Sequence, residues 1–334
     1  MNYKVALRSL CSHNYIDQLI KSMPYVYRPR TRFLVRDILN TQIPLVIHFQ
    51  FLTRHLEFFL IAALAKVRNI PLVWTPHDLH PEHQLGKDYP LISTMLKLVD
   101  AIIVLSRKNK AEIESLGIAA DKIFIFPLPN LNFWHQYKIS SLLARKKLGI
   151  PDNHTVFLQF GPVLPYKGYD LTSEAFLRVY QRYDKTTLLL GGKILDQKLY
   201  NKITSLANTK FCLPDRYLTH EEVGLLYSAA DVVLYPYKEI NQSGAIFDAL
   251  AFGKPMIVSN LGGIPEVIKD GREGFLISPT ATDLTAKMTR FIKNRKLIKI
   301  MGDKSYKNSY TRTWEETSKA HRELYEYLLS PKKP

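Results

Sequence analysis

Ser243 and Gly244 open an apolar run that reads as a helix over 243–252, and Glu239, Asn241 and Gln242 stand just before it. A short β-branched run, 231–235, precedes this polar group, and a second apolar run, 255–259, follows the helix. Strand, loop, helix and strand in that order make the unit that builds a parallel sheet. The polar residues therefore fall at the carboxyl end of a strand and at a helix N-terminus. Free backbone N–H groups there favour an anion, and a phosphate is the chemistry this spacing suits. A second polar loop, 76–90, holds His77, His80 and His83 with Asp78 and Glu82, which raises the question of a metal. Pro76 and Pro81 break that segment and its spacing is not the helical His pair of a metalloprotease, so no metal is expected.

The rest of the chain supplies the elements that position such groups. Strands are expected at 5–7, 44–49, 71–75, 101–106 and 122–127, alternating with helices near 56–67, 90–98 and 108–116, with a loop at 9–18. Residues 130–152 read as a connection plus a short basic helix ending at Gly149 and Pro151. The pattern then restarts, with strands at 155–161, 186–192, 210–214, 231–235, 255–259 and 274–277 and helices at 171–183, 195–207 and 221–230. The last part is helical and basic, and 314–329 carries apolar residues at helical spacing. Alternation on this scale gives an α/β fold of two Rossmann-like, doubly wound parallel-sheet domains facing each other across a cleft. Their expected extents are 1–137 and 138–310, with a C-terminal helix in 311–334 packing back towards the first domain.

Composition narrows the possibilities. At 334 residues, 46% hydrophobic and 23% charged, the chain suits two ordinary globular domains. Cys11 and Cys212 are too few and too scattered for a disulfide framework and are read as reduced thiols of a cytosolic protein. The opening MNYKVALRSL lacks the apolar core of a signal peptide, and the apolar window 58–65 runs at once into Lys66 and Arg68. The formal charge of +16 implies an anionic partner. Residues 1–70 hold ten Lys or Arg against three acids, interleaved with aromatics, a mixture that suits an anionic bilayer surface as well as a solvated basic face.

Several blocks together carry a resemblance: FGPVLPYKGYD (160–170), the glycine pair 191–192, HEEVGLLYSAADVVLYPY (220–237), SGAIFDALAFGKPMIVSNLGGIPEVI (243–268) and DGREGFLI (270–277). In this order they resemble the family 4 retaining glycosyltransferases of the B-type, two-Rossmann-domain fold, across nearly all of the second half. TPHDLHPEH (75–83) resembles, more weakly, the family segment that bears a histidine at the inter-domain cleft. The resemblance implies transfer of a sugar from a nucleotide diphosphate sugar to an acceptor hydroxyl, and the basic, aromatic N-terminal region points to a glycan or polyprenyl-linked acceptor. It implies retention of configuration, no cofactor and no obligatory metal, in a setting such as cell-surface polysaccharide or glycolipid synthesis. The cysteine usage and the basic, aromatic N-terminal region give the location as cytoplasmic, either free or peripheral on the inner face of the cell membrane.

The resemblance also assigns residues. Negative charge grows on the leaving diphosphate, and fixed positive groups there lower the barrier. Lys167, after Gly161 and before Gly168, corresponds to the phosphate-binding lysine; Pro162 and Leu164 stand where the family usually offers an arginine, so Lys167 either stands alone or is helped by Arg107, Lys108 or another basic residue. Ser243 and Gly244 correspond to the second phosphate device, and an N-cap role for the serine is compatible with it. Of the family's paired acids, Glu239 takes the sugar-contact role one place out of register, Ile240 occupying the aligned position, and Asp248 stands as the shorter ribose-side acid. His77 corresponds to the cleft histidine, contacting the donor sugar or its phosphate. His77, Asp78 and His48 are the candidates for an acceptor base, and a front-face mechanism needs none of them. Arg216 and Tyr217 lie in the expected base-recognition loop, and Gly262 and Gly263 in a loop under the diphosphate, where a plain strand-to-helix turn reads equally well.

A nicotinamide-dependent dehydrogenase lacks its G-x-G-x-x-G after the first strand of either half, and a nucleic-acid binder lacks a recognisable motif. A non-catalytic relative that binds a nucleotide or a partner remains the alternative, because of the missing arginine and the shifted acid.

Overall fold

The computed structural model describes residues 3–9, 14–51, 55–77, 89–130, 132–203, 209–212 and 216–331. They divide into two units, Met1–Pro129 with Arg312–Pro334, and Asn130–Thr311. The division falls at 129/130 and not at 137/138, because Asn132–Tyr137 forms a short 3-10 turn whose Trp134 packs on Phe252 at 6.2 Å. That contact belongs to the second unit.

The first unit is built on six parallel strands: β1 (Lys4–Arg8), β2 (Val26–Tyr27), β3 (Leu45–Gln50), β4 (Leu72–Thr75), β5 (Ala101–Val104) and β6 (Ile123–Ile125), in the order β2-β1-β3-β4-β5-β6. β3, β4 and β5 are buried at every position, as strands covered on both faces must be. Side chains alternate between two cores. Leu45, Ile47 and Phe49 join Leu72 and Trp74 beneath the helices Thr31–Asn40, His55–Val67 and Tyr89–Leu98. Val46 and Val73 face the other way, onto helix Asn14–Ser22 and the C-terminal helix Trp314–Leu329, with Leu324 and Tyr325. His48, Gln50 and Thr75 follow the same alternation and lie on that second face.

The segment expected as a loop at 9–18 contains the start of helix Asn14–Ser22, and β2 and helix Thr31–Asn40 had no counterpart in the sequence reading. β2 is only two residues long and pairs with β1 at Val5 and Ala6, too short a run for periodicity to reveal.

The second unit has strands β7 (Thr155–Phe160), β8 (Thr186–Gly191), β9 (Thr209–Cys212), β10 (Val232–Tyr235), β11 (Met256–Ser259) and β12 (Gly274–Ile277), ordered β12-β11-β10-β7-β8-β9. All pairings are parallel. The chain starts at β7, runs outward through β8 and β9, and returns to β10, so the direction of winding reverses between β7 and β10. Ligands of open α/β sheets bind outside the carboxyl ends of the strands at that switch point. At the opposite end Asp231 ties the same two strands: its Oδ2 accepts from the Val156 N–H at 2.8 Å, and its Oδ1 pairs with buried Arg145 at 2.8 Å. No helix of the described residues is long and apolar enough to cross a membrane.

Candidate functional site

Two loops leave the switch point of the second unit, Gly161–Gly168 after β7 and Pro236–Ser243 after β10. Lys167 ends a 3-10 turn, Pro165–Lys167, that closes on Gly168 in the left-handed region at φ 71°. A Cβ at residue 168 would lie 2.0 Å from the Pro236 carbonyl oxygen, so only glycine lets the first loop rest on the second. The Lys238 N–H donates to the Tyr166 carbonyl at 2.8 Å, and the Lys238 ammonium pairs with Asp170 at 2.7 Å.

The Lys167 side chain is 9% exposed. Its ammonium lies over the Tyr237 and Tyr166 rings, 5.1 and 5.3 Å from their centroids. Gly161 faces it, where a Cβ would approach Nζ to 3.2 Å. Burial pulls the lysine down to about 8, and the Asp248 carboxylate partly opposes that fall. Such an ammonium is dehydrated in advance and held without a salt bridge among the described residues, the state in which an arriving anion gains most from it.

Tyr237 joins the lysine to the helix. While its ring carries Lys167, its hydroxyl bonds the Ser243 hydroxyl at 2.7 Å. Ser243 therefore does not cap the helix Gly244–Ala251, which begins with no side-chain cap bond. No side chain caps the Gly244 and Ala245 N–H groups, whereas that of Ile246 bonds the Ser243 carbonyl at 3.3 Å. Gly244 is exposed, and a Cβ there would meet nothing within 4 Å, so the protein's own packing does not call for glycine at this position.

The shifted acid, Glu239, is half-buried in the loop between β10 and the helix. Gly262 supports that loop from behind: at φ 57° a Cβ would stand 2.2 Å from the Ile240 carbonyl oxygen. The Gly263 N–H donates to the Asn241 carbonyl at 2.8 Å. These glycines thus hold the Glu239 loop, and the Gly263 N–H is spent within the protein. Asn241 is 3% exposed and its Oδ1 has no partner, a buried acceptor in the same loop.

Asp248 departs from the ribose-side role. It is 7% exposed, and Trp134 Nε1 donates to its Oδ1 at 2.6 Å. Burial raises its pKa to about 7 against the lowering by Trp134 and Lys167. The shorter side chain sits behind the lysine, within the protein. Arg216 presents both terminal nitrogens to Glu222, at 2.8 and 2.7 Å, and holds that carboxyl down to about 2. Glu222 in turn completes the capping box of helix His220–Ala229, a device worth about 1 kcal/mol. Tyr217 is 70% exposed beneath the Lys193 ammonium.

In the first unit, His77 follows β4 and stacks on Phe51, ring centroids 3.9 Å apart. Phe51 has φ 60°, a left-handed conformation that costs a side chain about 1–2 kcal/mol. Trp74 Nε1 holds its carbonyl at 2.9 Å. His48 is not placed to touch an acceptor: it is fully buried, and its two nitrogens bond Tyr325 and Thr75, each at 2.7 Å. Burial drives its pKa well below the usual histidine value, with His321 and His77 adding to the fall. Asp78, His80, Glu82 and His83 lie outside the described residues. Among the described residues no three His, Cys, Asp or Glu gather as metal ligands.

Tyr237, Tyr166 and Trp134 are site residues that sequence reasoning passed over. The YK dipeptide and the YPY tripeptide were the available signal for the tyrosines; Trp134 stands 114 residues from Asp248 and gave none.

The comparisons agree with this architecture. A likeness in fold extends over 98% of the chain to the HepE protein of Anabaena, solved with UDP, at 18% identity, full coverage of that chain and a TM-score of 0.80. Sucrose-phosphate synthase of Thermosynechococcus elongatus is similar at a TM-score of 0.76, with 18% identity over 98% of this chain and 99% of its own. In sequence, an uncharacterised glycosyltransferase of Methanocaldococcus jannaschii is 22% identical over 68% of this chain and 61% of its own length. The N-acetyl-alpha-D-glucosaminyl L-malate synthase of Bacillus anthracis is 24% identical over 52% of this chain and 45% of its own. The chain thus spans about half the length of the curated relatives it matches. Family models match both units, Glycosyltransferase Family 4 at residues 13–129 and Glycosyl transferases group 1 at 140–308. With half of its length matched by the second model, the chain belongs to the group 1, family 4 glycosyltransferases of the B-type fold.

Proposed function

We propose that the protein transfers a sugar from a uridine diphosphate sugar to an acceptor hydroxyl, with retention of configuration and without a metal. What carries the reading is one arrangement: the dehydrated Lys167 ammonium and the uncapped helix start at Ser243–Gly244, spaced by a single ring, Tyr237. A diphosphate matches both at once. Its charge grows as the glycosidic bond breaks, and a cation fixed beside the leaving oxygen stabilises that state more than the ground state. Uridine is chosen because the HepE neighbour is solved with UDP and with UDP-glucose. Glu239 takes the sugar hydroxyls, and the leaving phosphate itself accepts the acceptor proton.

The test is a thermal shift with UDP, GDP and ADP. UDP at about 100 times its Kd should stabilise the protein by about 2.7 kcal/mol. The absence of a shift with every nucleotide would sink the reading. A second reading, nucleotide binding without transfer, is favoured by the enclosure of Asp248 behind Trp134. It predicts a shift with UDP but no hydrolysis of UDP-sugars.

The acceptor is proposed to be lipid-linked or a glycan at an anionic membrane surface. Helix His55–Val67 exposes Leu56, Leu60 and Val67 along one stripe, at 88, 53 and 82%. Helix Thr31–Asn40 exposes Phe33, with the Arg32 and Arg36 guanidinium groups 4.7 and 5.4 Å over its ring. Apolar anchors beside cations suit an anionic headgroup layer. Sedimentation with phosphatidylglycerol vesicles should weaken about tenfold or more in the double variant Arg32→Glu, Arg36→Glu. Equal binding to neutral phosphatidylcholine vesicles would remove the membrane from the proposal.

A further inference from the structure

A cavity of about 330 Å³ opens in the second unit between Asp231 before β10, Pro255 before β11 and the helix Lys296–Asn308. It therefore lies at the amino ends of the strands, opposite the Gly161–Gly168 and Pro236–Ser243 loops. Three lysines from three separate segments line it: Lys138 after the 3-10 turn, Lys254 in the turn before β11 and Lys299 on the helix. Two acids line it as well, Asp231 and Asp303. Asp231 is matched by Arg145 at 2.8 Å, which leaves Asp303 alone against the three lysines. Gly253 and Gly302 let the helix rest directly on the turn that carries Lys254, since a Cβ at 302 would stand 2.7 Å from the Gly253 carbonyl oxygen.

The protein leaves these cations largely unanswered. The Lys254 ammonium donates to the Ala230 carbonyl at 2.7 Å and to the Ser228 carbonyl at 3.5 Å, so one of its three protons stays over. Burial lowers this lysine to about 8; Asp231 opposes the fall, and the Lys138 and Arg145 charges add to it. Like charges so near one another repel, and an anion among them removes the repulsion. Lys138 and Lys299 are exposed, and neither ammonium forms a hydrogen bond or an ion pair among the described residues, Lys138 lying 5.1 Å over the Tyr306 ring. The surroundings have the same sign: residues 287–307 hold eight Lys or Arg and one acid, Asp303, a field that draws anions to this face.

We propose that the cavity binds a phosphate monoester, with Lys138, Lys254 and Lys299 around the phosphate and Pro255, Ile298 and Tyr306 beside the group it is attached to. A monoester brings about 1.5 to 2 negative charges and three acceptor oxygens, which suits point cations arriving from three directions. One carboxylate would leave most of that charge unmatched. At about 330 Å³ the space lies at the small end of the range for small-molecule sites, roughly 300–1,000 Å³, and suits a body the size of one sugar. A soluble sugar phosphate and a lipid with a phosphomonoester headgroup present this same chemistry.

The cavity shares no residue with the loops of the proposed donor site, so the two readings fail separately. The test is calorimetric titration of the full chain with glucose 6-phosphate and with glucose, beside sedimentation with vesicles of phosphatidic acid in phosphatidylcholine. Glucose 6-phosphate is expected to bind and glucose not. In the double variant Lys138→Glu, Lys299→Glu, whose altered side chains are both exposed, binding should weaken about tenfold or more, as the loss of charge-assisted bonds implies. A lipid source would show the same lysine dependence with the vesicles and none with the soluble ester. The thermal shift with UDP should be that of the wild type in the variant. Binding of neither probe, equal binding by the variant, or displacement of glucose 6-phosphate by UDP would overturn the proposal. Lysine-dependent binding in a wild type that shows no shift with UDP would leave this site standing and the donor reading failed.

Discussion

Lys167→Ala is expected to lower donor turnover by about 100-fold or more, the usual loss when one fixed group facing a developing oxyanion is removed. The cause is that the ammonium is already out of water, 9% exposed against two tyrosine rings, so it acts at low dielectric and needs no reorganisation. Lys167→Arg should not rescue. The ammonium is enclosed, 9% exposed over the Tyr237 and Tyr166 rings, and a planar guanidinium differs from it in both size and shape. Steady-state kinetics on the UDP-sugar selected by hydrolysis would check both variants. The fall should appear in kcat, because the charge it answers exists mainly in the transition state. Full activity in Lys167→Ala would remove the residue from the chemistry.

The second large effect is on stability. Gly168→Ala should destabilise the protein by about 2 kcal/mol or more, since the methyl group meets the Pro236 carbonyl oxygen at 2.0 Å while the backbone remains at φ 71°. Gly271→Ala is the internal control: φ is 72° and nothing lies within 4 Å, so it reports the backbone penalty alone. The gap between their denaturant midpoints measures the contact between the two loops. Equal midpoints would show that Pro236 yields at no cost.

Much of the scaffold was legible from local pattern. The runs at 155–160 and 232–235 are β-branched, aromatic and apolar because both faces of a parallel strand are covered, and the structure has β7 and β10 there. Gly149 ends its helix at φ 62°, as a C-terminal glycine should. The site was legible only in part. Lys167 and Ser243 announced themselves by their place after a strand and before a helix. What each does was hidden, because it depends on partners without periodicity: the Ser243 hydroxyl turns to Tyr237 and abandons the cap, and Asp248 turns to Trp134. His48 is the extreme case. It stood among the candidates for an acceptor base, but Tyr325, 277 residues away, closes one nitrogen, and no local signal carries such a pairing.

The ties between the two loops of the second unit also bear on entropy. Gly168 on Pro236, the Lys238 N–H on Tyr166 and the Lys238 ammonium on Asp170 were all formed when the chain folded. Ordering a free loop on binding costs about 1–2 kcal/mol per residue in backbone freedom alone. Here that loss was already taken during folding, so the diphosphate of the proposed donor would meet two loops whose geometry it need not organise, and more of its contact energy would be left to appear as affinity.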